Sequence, residues 1–244
     1  MSGQDEEENQ STHQDGERIM LESLIEYLPE LLKGLQTTLE LTLASLLVGL
    51  VMALLFTLIL SLRFKPLVWL VRLQILVFTG TPLLVQIFLI YYGPAQFPIL
   101  QETVFWSLLS EPWFCAMLAL ALNSAAYSTQ LFKGAIDAVS ASEWEAAMAL
   151  GMTRQQTLIR IVLPHAIRRA LPAYGNELIL VMKGTSLAST ITLMDLMGYA
   201  ARLNAQTYDT LTVFSLTGLI YLTLTGILTL IIRWIERKAL AFSR

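Results

Sequence analysis

The sequence predicts an all-α, polytopic membrane protein with five transmembrane helices, and three observations support this prediction. Of the 244 residues, 55% are hydrophobic and only 14% are charged, and the mean hydropathy is +0.59. Apolar runs of about twenty residues, long enough to cross about 30 Å of hydrocarbon, occur five times. Basic residues collect at the ends of these runs, mostly on one side of the predicted membrane.

The predicted spans follow from the apolar runs and their breaks. Gly80 and Pro82 lie inside the second run and predict a kink or a close helix contact there. The third run is apolar at first and becomes polar from Asn123 onwards. The five spans are predicted at about residues 35–62, 73–92, 113–132, 171–197 and 211–232.

The first nineteen residues differ in composition from the rest of the chain. They hold much of the acid that gives the net charge of -3, and they lack the basic start and the apolar core of a signal peptide. Residues 1–19 are therefore predicted to be an acidic disordered tail, and residues 20–244 the transmembrane domain. Met20 is an alternative start site, and the sequence leaves that choice open.

The basic residues also predict the orientation of the chain. One side receives few of them, namely Arg18, Lys33 and Arg202. The other side receives Arg63, Lys65, Arg72, Lys133, Arg154, Arg160, Arg168, Arg169, Arg233, Arg237, Lys238 and Arg244. Because basic loops stay in the cytoplasm, the N-terminus is predicted outside and the C-terminus inside.

A compact polar segment, "SASEWEAAMALGMTRQQTLIRIVLP", interrupts the spans within a predicted cytoplasmic loop at about residues 137–170. Ser142 with Glu145 predicts a capping box, and Gly151 predicts a left-handed helix end. Thr153 with Gln156 predicts a second capping box, whose helix ends before Pro164. The pattern predicts two short helices joined by a tight turn.

Three interpretations of this helix pair are open on these grounds. It can be a plain connection between spans, a DNA-binding helix-turn-helix, or a docking element for a cytoplasmic protein. The tether to two membrane spans argues against DNA binding. Small side chains at Ala146 and Ala147 would let another surface approach, and Trp144 and Met148 would supply apolar anchors.

The same residues resemble a known family. Glu145, Ala146, Ala147 and Gly151, followed by "IVLP" after nine residues, are similar to the E-A-A-x3-G-x9-I-x-L-P signature of bacterial ABC importer permeases. The segments "FTGTPLLVQIFLIYYGP" and "LNSAAYSTQLFKGAI" resemble polar amino acid permeases of the histidine/arginine family, and arginine-importer permeases most closely. The resemblance covers the chain from about Tyr27 onwards.

This resemblance implies the type I ABC importer permease fold with a cytoplasmic coupling helix, in a bacterial inner membrane. The implied partners are a second permease subunit, two cytoplasmic ATPase subunits and an extracytoplasmic amino-acid-binding protein. It implies that Glu145, Ala146, Ala147, Gly151, Trp144 and Met148 dock the ATPase subunit. No G-x-x-x-x-G-K-[ST] motif occurs, so no cofactor is expected in this chain, and ATP and Mg would bind to the ATPase subunit.

Three polar residues are candidates for the substrate pathway. A charge inside a span is expensive unless it is paired or functional, and Glu177 lies in the fourth span. Its carboxylate would suit a guanidinium group, or it is satisfied by neighbours. Asn123 and Tyr127 are four residues apart and share a helix face, either along the pathway or as hydrogen bonds between helices.

Other function classes have less support. A membrane enzyme would need a catalytic cluster, but the two histidines are His13 and His165, no H-E-x-x-H motif occurs, and no metal site is predicted. Cys115 is the single cysteine, expected in the core. A stand-alone channel or secondary transporter would be expected to carry internal repeats, which are not apparent. A glutamine/glutamate-type permease remains an alternative, and no nucleic-acid partner is indicated.

Overall fold

The computed structural model describes residues 2–61 and 64–241, with side chains described for 25–61 and 64–238. Arg63 and Arg244, used for the orientation, lie outside the described residues. Eleven α-helices occur in the described ranges. They are α1 Ser2–Leu60, α2 Lys65–Gly80, α3 Leu83–Tyr92, α4 Pro98–Gln101, α5 Trp106–Leu109, α6 Pro112–Asp137, α7 Ala141–Ala149, α8 Arg154–Thr157, α9 Leu163–Gly184, α10 Leu196–Thr207 and α11 Thr210–Ala241.

The all-helical prediction is confirmed, whereas the number of spans is not confirmed as five. Within the described residues, the segments Ile25–Leu60 and Thr210–Lys238 are long and apolar enough to cross a membrane. If each bent pair of helical segments is counted as one span, the count rises to four. The first pair, Lys65–Gly80 and Leu83–Gln96, bends by 113°. The second pair, Arg154–Ile191 and Leu196–Thr207, bends by 49°. The third predicted span, α6, is not among them because its second half is polar.

The acidic segment is part of α1 in the structure. The backbone is helical from Ser2, in contrast to the disordered tail expected for residues 1–19. Side chains before residue 25 lie outside the described part of the chain, so no contact shows where a domain begins. The boundary at Met20 stays a prediction.

Helix α6 forms the centre of the bundle. It packs against α1, α2, α3 and α9, and many of its buried residues are alanine or serine. Small side chains let helix backbones approach closely, which is the usual basis of helix packing in membranes. Cys115 is fully buried here beside Leu41, Ile87 and Leu120, so its predicted place in the core is confirmed.

The second predicted span is broken rather than kinked. Helix α2 ends at Gly80 and α3 begins at Leu83 after an extended Thr81 and Pro82. Proline has no N–H to continue a helix, so the chain turns by 113° at this point. The position of the break agrees with the predicted kink, and the single span over residues 73–92 stays a prediction.

The helix that carries the fourth predicted span begins earlier than expected, because Pro164 does not end a helix. Residues Leu158–Val162 form a π-helix in which the Leu163 N–H donates to the Leu158 carbonyl. This wider turn takes up the break in the ladder at Pro164, the second residue of α9. Helix α8, the π segment and α9 therefore follow one another without a loop.

A second break in the helical structure follows α9. A 3₁₀ helix, Thr185–Ile191, follows α9, and Thr192 then adopts a left-handed φ of 68°. Asp195 is fully buried and caps α10, accepting from the Gly198 N–H at 2.8 Å. The Leu196 N–H donates to Thr38 of α1 at 3.0 Å. The first bond caps α10, and the second attaches α10 to α1.

The turn between α7 and α8 has the local structure that the sequence predicts. Gly151 has a φ of +82°. The Gly151 N–H donates to the Met148 carbonyl at 2.9 Å and the Met152 N–H to the Ala147 carbonyl at 3.1 Å, which is a Schellman motif. Thr153 and Gln156 form the predicted capping box.

The capping box predicted at Ser142 and Glu145 is wrong. Ser140 is the N-cap of α7 and accepts from the Glu143 N–H at 3.3 Å. The sequence contains two overlapping S-x-x-E patterns, and the earlier one is used because Ala141 already has helical geometry. Ser142 lies in the first turn and shares a hydrogen bond with Ser140.

Replacing Gly34 with alanine should loosen the contact between α1 and α10. A Cβ at residue 34 would lie 2.6 Å from the Leu196 nitrogen and closer still to the Asp195 carbonyl. Such overpacking typically costs about 1–3 kcal/mol, so the melting temperature in detergent should fall. The matched Gly226→Ala has open space around its Cβ and should leave it unchanged or slightly raised. Equal melting temperatures would contradict this account.

Replacing Gly151 with alanine should weaken the turn between α7 and α8. A left-handed conformation costs a residue with a Cβ about 1–2 kcal/mol, so amides in the last turn of α7 should exchange with deuterium roughly 5- to 30-fold faster. Gly134→Ala is the control, because a Cβ there meets nothing within 4 Å and φ is not left-handed. Unchanged exchange in Gly151→Ala would show that the turn does not depend on the glycine.

Candidate functional site

Two regions contain the residues that the sequence singles out, and each is built from different elements. The first is the helix pair α7–α8, which carries the predicted docking residues. The second is a cleft between α3, α6 and α9, which contains the predicted pathway residues. Helix α9 connects the two regions, since it continues from α8 and carries Glu177.

Helix α7 exposes most of the predicted docking residues, but not all of them. Glu145, Ala146 and Met148 are exposed, and Trp144 is half-buried. Ala147 is only 2% exposed, so it packs inward and offers no surface to a partner. Leu150, which follows the helix, is 84% exposed. Together with Met148, which is 48% exposed, it gives this end of α7 an apolar surface.

The position of α7 is fixed by two side-chain contacts beyond the Schellman turn. The Trp144 ring lies under the Arg154 guanidinium, at 5.9 Å from its centroid, which joins α7 to α8. His165 Nδ1 lies 3.1 Å from Glu143 Oε2, which joins α7 to the first turn of α9. Both pairs are partly exposed and individually weak, but together they orient the exposed face of α7.

The cleft brings together the three predicted pathway residues. A cavity of about 240 Å³ is lined by Leu83 of α3, Asn123 and Tyr127 of α6 and Glu177 of α9, among others. An adjoining cavity of about 440 Å³ shares Tyr127 and Glu177 and adds Gln130 and Asn176. The two cavities form one cleft with polar groups on a largely apolar wall, which is the usual character of a small-molecule site.

Glu177 is the acidic group of this cleft. It is 6% exposed, and among the side chains that the structure describes no basic group forms an ion pair with it. A carboxylate withdrawn from water without a cation is costly. The carboxylate is therefore suited to receive a cationic group that enters the cleft.

Asn123 lines the cleft and also forms hydrogen bonds between helices, and its role in the pathway stays a prediction. It lines the cleft, and its Nδ2 donates to Gln86 Oε1 at 2.9 Å and to the Phe78 carbonyl at 3.1 Å. Tyr127 is 41% exposed and faces both cavities. Asn123 thus connects α6 to the break between α2 and α3, while Tyr127 is available to a ligand.

Sequence reasoning missed Gln86, which organises the wall behind the cleft. Its side chain is 4% exposed, and its Nε2 lies 2.9 Å from both the Phe78 and the Thr81 carbonyls. These carbonyls lie at the end of α2, where no further helical N–H group is available to donate to them. A single glutamine in the apolar run after Pro82 is the sequence feature that could have indicated it.

No metal centre is evident within the described residues. No group of three or more histidine, cysteine, aspartate or glutamate side chains lies close enough to hold a metal ion there. The arrangement therefore offers a contact surface at α7 and a polar cleft at α3, α6 and α9.

The sequence has close relatives among characterised proteins. It is 61% identical over 185 residues to the "Arginine ABC transporter permease protein ArtM" of Escherichia coli (strain K12), which covers 75% of this chain and 82% of ArtM. ArtM of Haemophilus influenzae is 57% identical over 76% of this chain and 81% of its own length. The "Octopine transport system permease protein OccM" of Rhizobium radiobacter is 48% identical over 72% of this chain and 73% of OccM.

Solved structures support the same fold. A chain of the "Crystal structure of an amino acid ABC transporter with histidines" has a TM-score of 0.79 and 32% identity, covering 88% of this chain and 97% of that chain. A chain of the MetNI methionine ABC transporter in an inward-facing conformation has a TM-score of 0.68 at 16% identity, covering 87% and 97%. The second likeness shows the fold alone.

The family assignment follows from these findings together. Residues 45–240 match the family described as "Binding-protein-dependent transport system inner membrane component". The predicted resemblance and the ABC importer permease fold are thereby confirmed. This chain belongs to the family of binding-protein-dependent transport system inner membrane components, as a non-catalytic ABC importer permease.

Proposed function

We propose that this permease moves arginine into the cytoplasm as one subunit of an ATP-driven importer. The observation that carries the proposal is Glu177, a buried carboxylate without a described cation, in a cleft that the chain's own helices form. A guanidinium group can donate two parallel hydrogen bonds to a carboxylate. The names of the ArtM relatives point to the same substrate.

The proposed energy source is a pair of separate ATPase subunits, which bind ATP and Mg. They dock on α7, where Glu145, Ala146 and Met148 are exposed beside Leu150. Trp144 supports this face from the side, and Gly151 makes the turn behind it. A second permease subunit, identical or related, completes the pathway, and an extracytoplasmic binding protein delivers the amino acid.

The proposed orientation has the N-terminus outside and the C-terminus in the cytoplasm. The exposed arginines around α8 and the start of α9, together with Lys65 of α2, mark the cytoplasmic side. Arg202 and Lys33 lie at the opposite side, where both interact with Glu30. The α7 face is then accessible from the cytoplasm, as docking of an ATPase requires.

Glutamine is the alternative substrate within the same family, and charge distinguishes the two amino acids. Glutamine has an uncharged amide and would leave the Glu177 carboxylate without a cation. A stand-alone channel is the alternative of another class, and it would not use the α7 face.

Replacing Glu177 with glutamine should reduce arginine uptake. Loss of a charge-assisted hydrogen bond costs about 1.5–3 kcal/mol, which corresponds to roughly a 10- to 150-fold loss at subsaturating arginine. Uptake of radiolabelled arginine by vesicles that contain the assembled importer measures this. Glu102→Gln removes the same charge from the loop between α4 and α5 and serves as the control. Undiminished uptake in Glu177→Gln would remove the proposed contact with substrate.

Replacing Ala146 with tryptophan should block docking of the ATPase subunit. The residue is exposed on α7, so a bulky side chain would hold a partner surface away without disturbing the permease core. We expect loss of the ATPase subunit on affinity purification of the permease. Gln155→Trp places the same side chain on exposed α8 and should retain the subunit. Normal recovery with Ala146→Trp would exclude this face and favour the channel.

A further inference from the structure

A long apolar groove lies on the bundle outside the cleft that contains Glu177, with no lining residue in common. Its walls are the last turns of α1, the end of α6, and the π segment with the first half of α9, and its volume is about 500 Å³. Its floor is made of small side chains, Ala166 and Ala170, which are buried against Phe132. Leu58 and Ile167 on its rim are 62% and 57% exposed. We call it the α1–α9 groove.

The α1–α9 groove has the length of one membrane leaflet. Along α1 and the residue that follows it, the groove extends from Leu50 to Ser61, which is eleven steps of 1.5 Å, or about 16 Å. Half of the hydrocarbon core is about 15 Å thick. Helix α6 runs parallel to α1, since Ser45 contacts Met117 and Gly49 contacts Ala121. It runs antiparallel to α9, since Phe132 packs on Tyr174 while Ala135 packs with Ala166. The Ser61 end of the groove therefore lies toward the end of α6 and the π segment, and the Leu50 end lies deeper in the bundle.

Basic residues concentrate at the Ser61 end of the groove. Lys65 begins α2 four residues after Ser61, and Arg160 lies in the π segment between the lining residues Ile159 and Leu163. Both are exposed. All fifteen lining residues are described and none is acidic. The acid at the end of α6, Asp137, is already paired with Lys133.

The apolar lining and the basic rim of the groove favour a lipid as its occupant. An extended acyl chain is narrow enough to lie along the alanine floor. A basic rim at the end of an apolar groove is the charge arrangement that suits an anionic headgroup above its own chain.

We propose that the α1–α9 groove binds an anionic phospholipid of the cytoplasmic leaflet. One acyl chain lies along Ala166 and Ala170, and the headgroup phosphate is held by Lys65 and Arg160, whose long side chains reach the interface. The inference rests on the proposed orientation of the permease, because that orientation places the Ser61 end at the cytoplasmic surface. It does not depend on arginine being the substrate.

Lipid retention by the intact complex tests the proposal. The permease with its ATPase subunits is placed in nanodiscs of phosphatidylcholine with increasing phosphatidylglycerol, and bound lipid is counted by native mass spectrometry after gentle release. We expect preferential retention of phosphatidylglycerol. Each basic residue near the membrane surface contributes about a fivefold preference, so Lys65→Gln with Arg160→Gln should reduce it about 25-fold.

A matched double variant separates a site from diffuse charge. Arg233→Gln with Arg237→Gln removes two exposed charges from α11, outside the groove, and should leave the preference intact. Equal loss in both double variants would overturn the proposal, as would equal retention of the two lipids by the unaltered protein.

Crosslinking identifies the occupant directly. A photoreactive residue at Ile167, on the exposed rim, should yield an adduct with the mass of a phospholipid. An adduct with a second permease subunit would overturn the proposal and make the groove a protein interface. Neither measurement uses transport, so failure here with normal arginine uptake would leave the proposed function intact, and the reverse result would leave the lipid site intact.

Discussion

The structure depends on how it satisfies the backbone where helices break inside the membrane. Lipid offers no hydrogen bonds, so each unpaired backbone group there costs several kcal/mol. At the break between α2 and α3, Gln86 bonds the Phe78 and Thr81 carbonyls, and Asn123 of α6 bonds Phe78 and Gln86 together. One amide pair thus allows a 113° turn and fixes the wall of the cleft.

At the second break, after α9, side chains also satisfy the free backbone groups. The chain leaves its 3₁₀ turn through a left-handed Thr192, and Asp195 then caps the next helix while Thr38 accepts the following N–H. Gly34 of α1 provides the room for this close contact. The two breaks hold α3 and α10 against α6 and α1, and α9 with Glu177 lies between them.

Local patterns in the sequence predicted the turn between α7 and α8, but not the start of α7, where Ser140 rather than Ser142 is the N-cap. Gly151 and the Thr153–Gln156 box act within four or five residues, and both are found as predicted. Local patterns did not predict the tertiary contacts. Gln86 donates to the Phe78 carbonyl, eight residues upstream, and Ala147 faces inward because of how α7 packs. The pathway residues, predicted from polarity alone, do meet in one cleft because α6 and α9 are neighbours.

Helix α8, the π segment and α9 follow one another without a break and form one continuous helical rod. From Arg154 to Glu177 the chain rises through 23 residues, or about 35 Å, with no loop in which motion could be absorbed. A tilt of about 5° at one end would displace the other by about 3 Å, comparable to the width of a hydrogen bond. The points along the rod where it can bend are the π turn beside Pro164 and Pro172 inside α9.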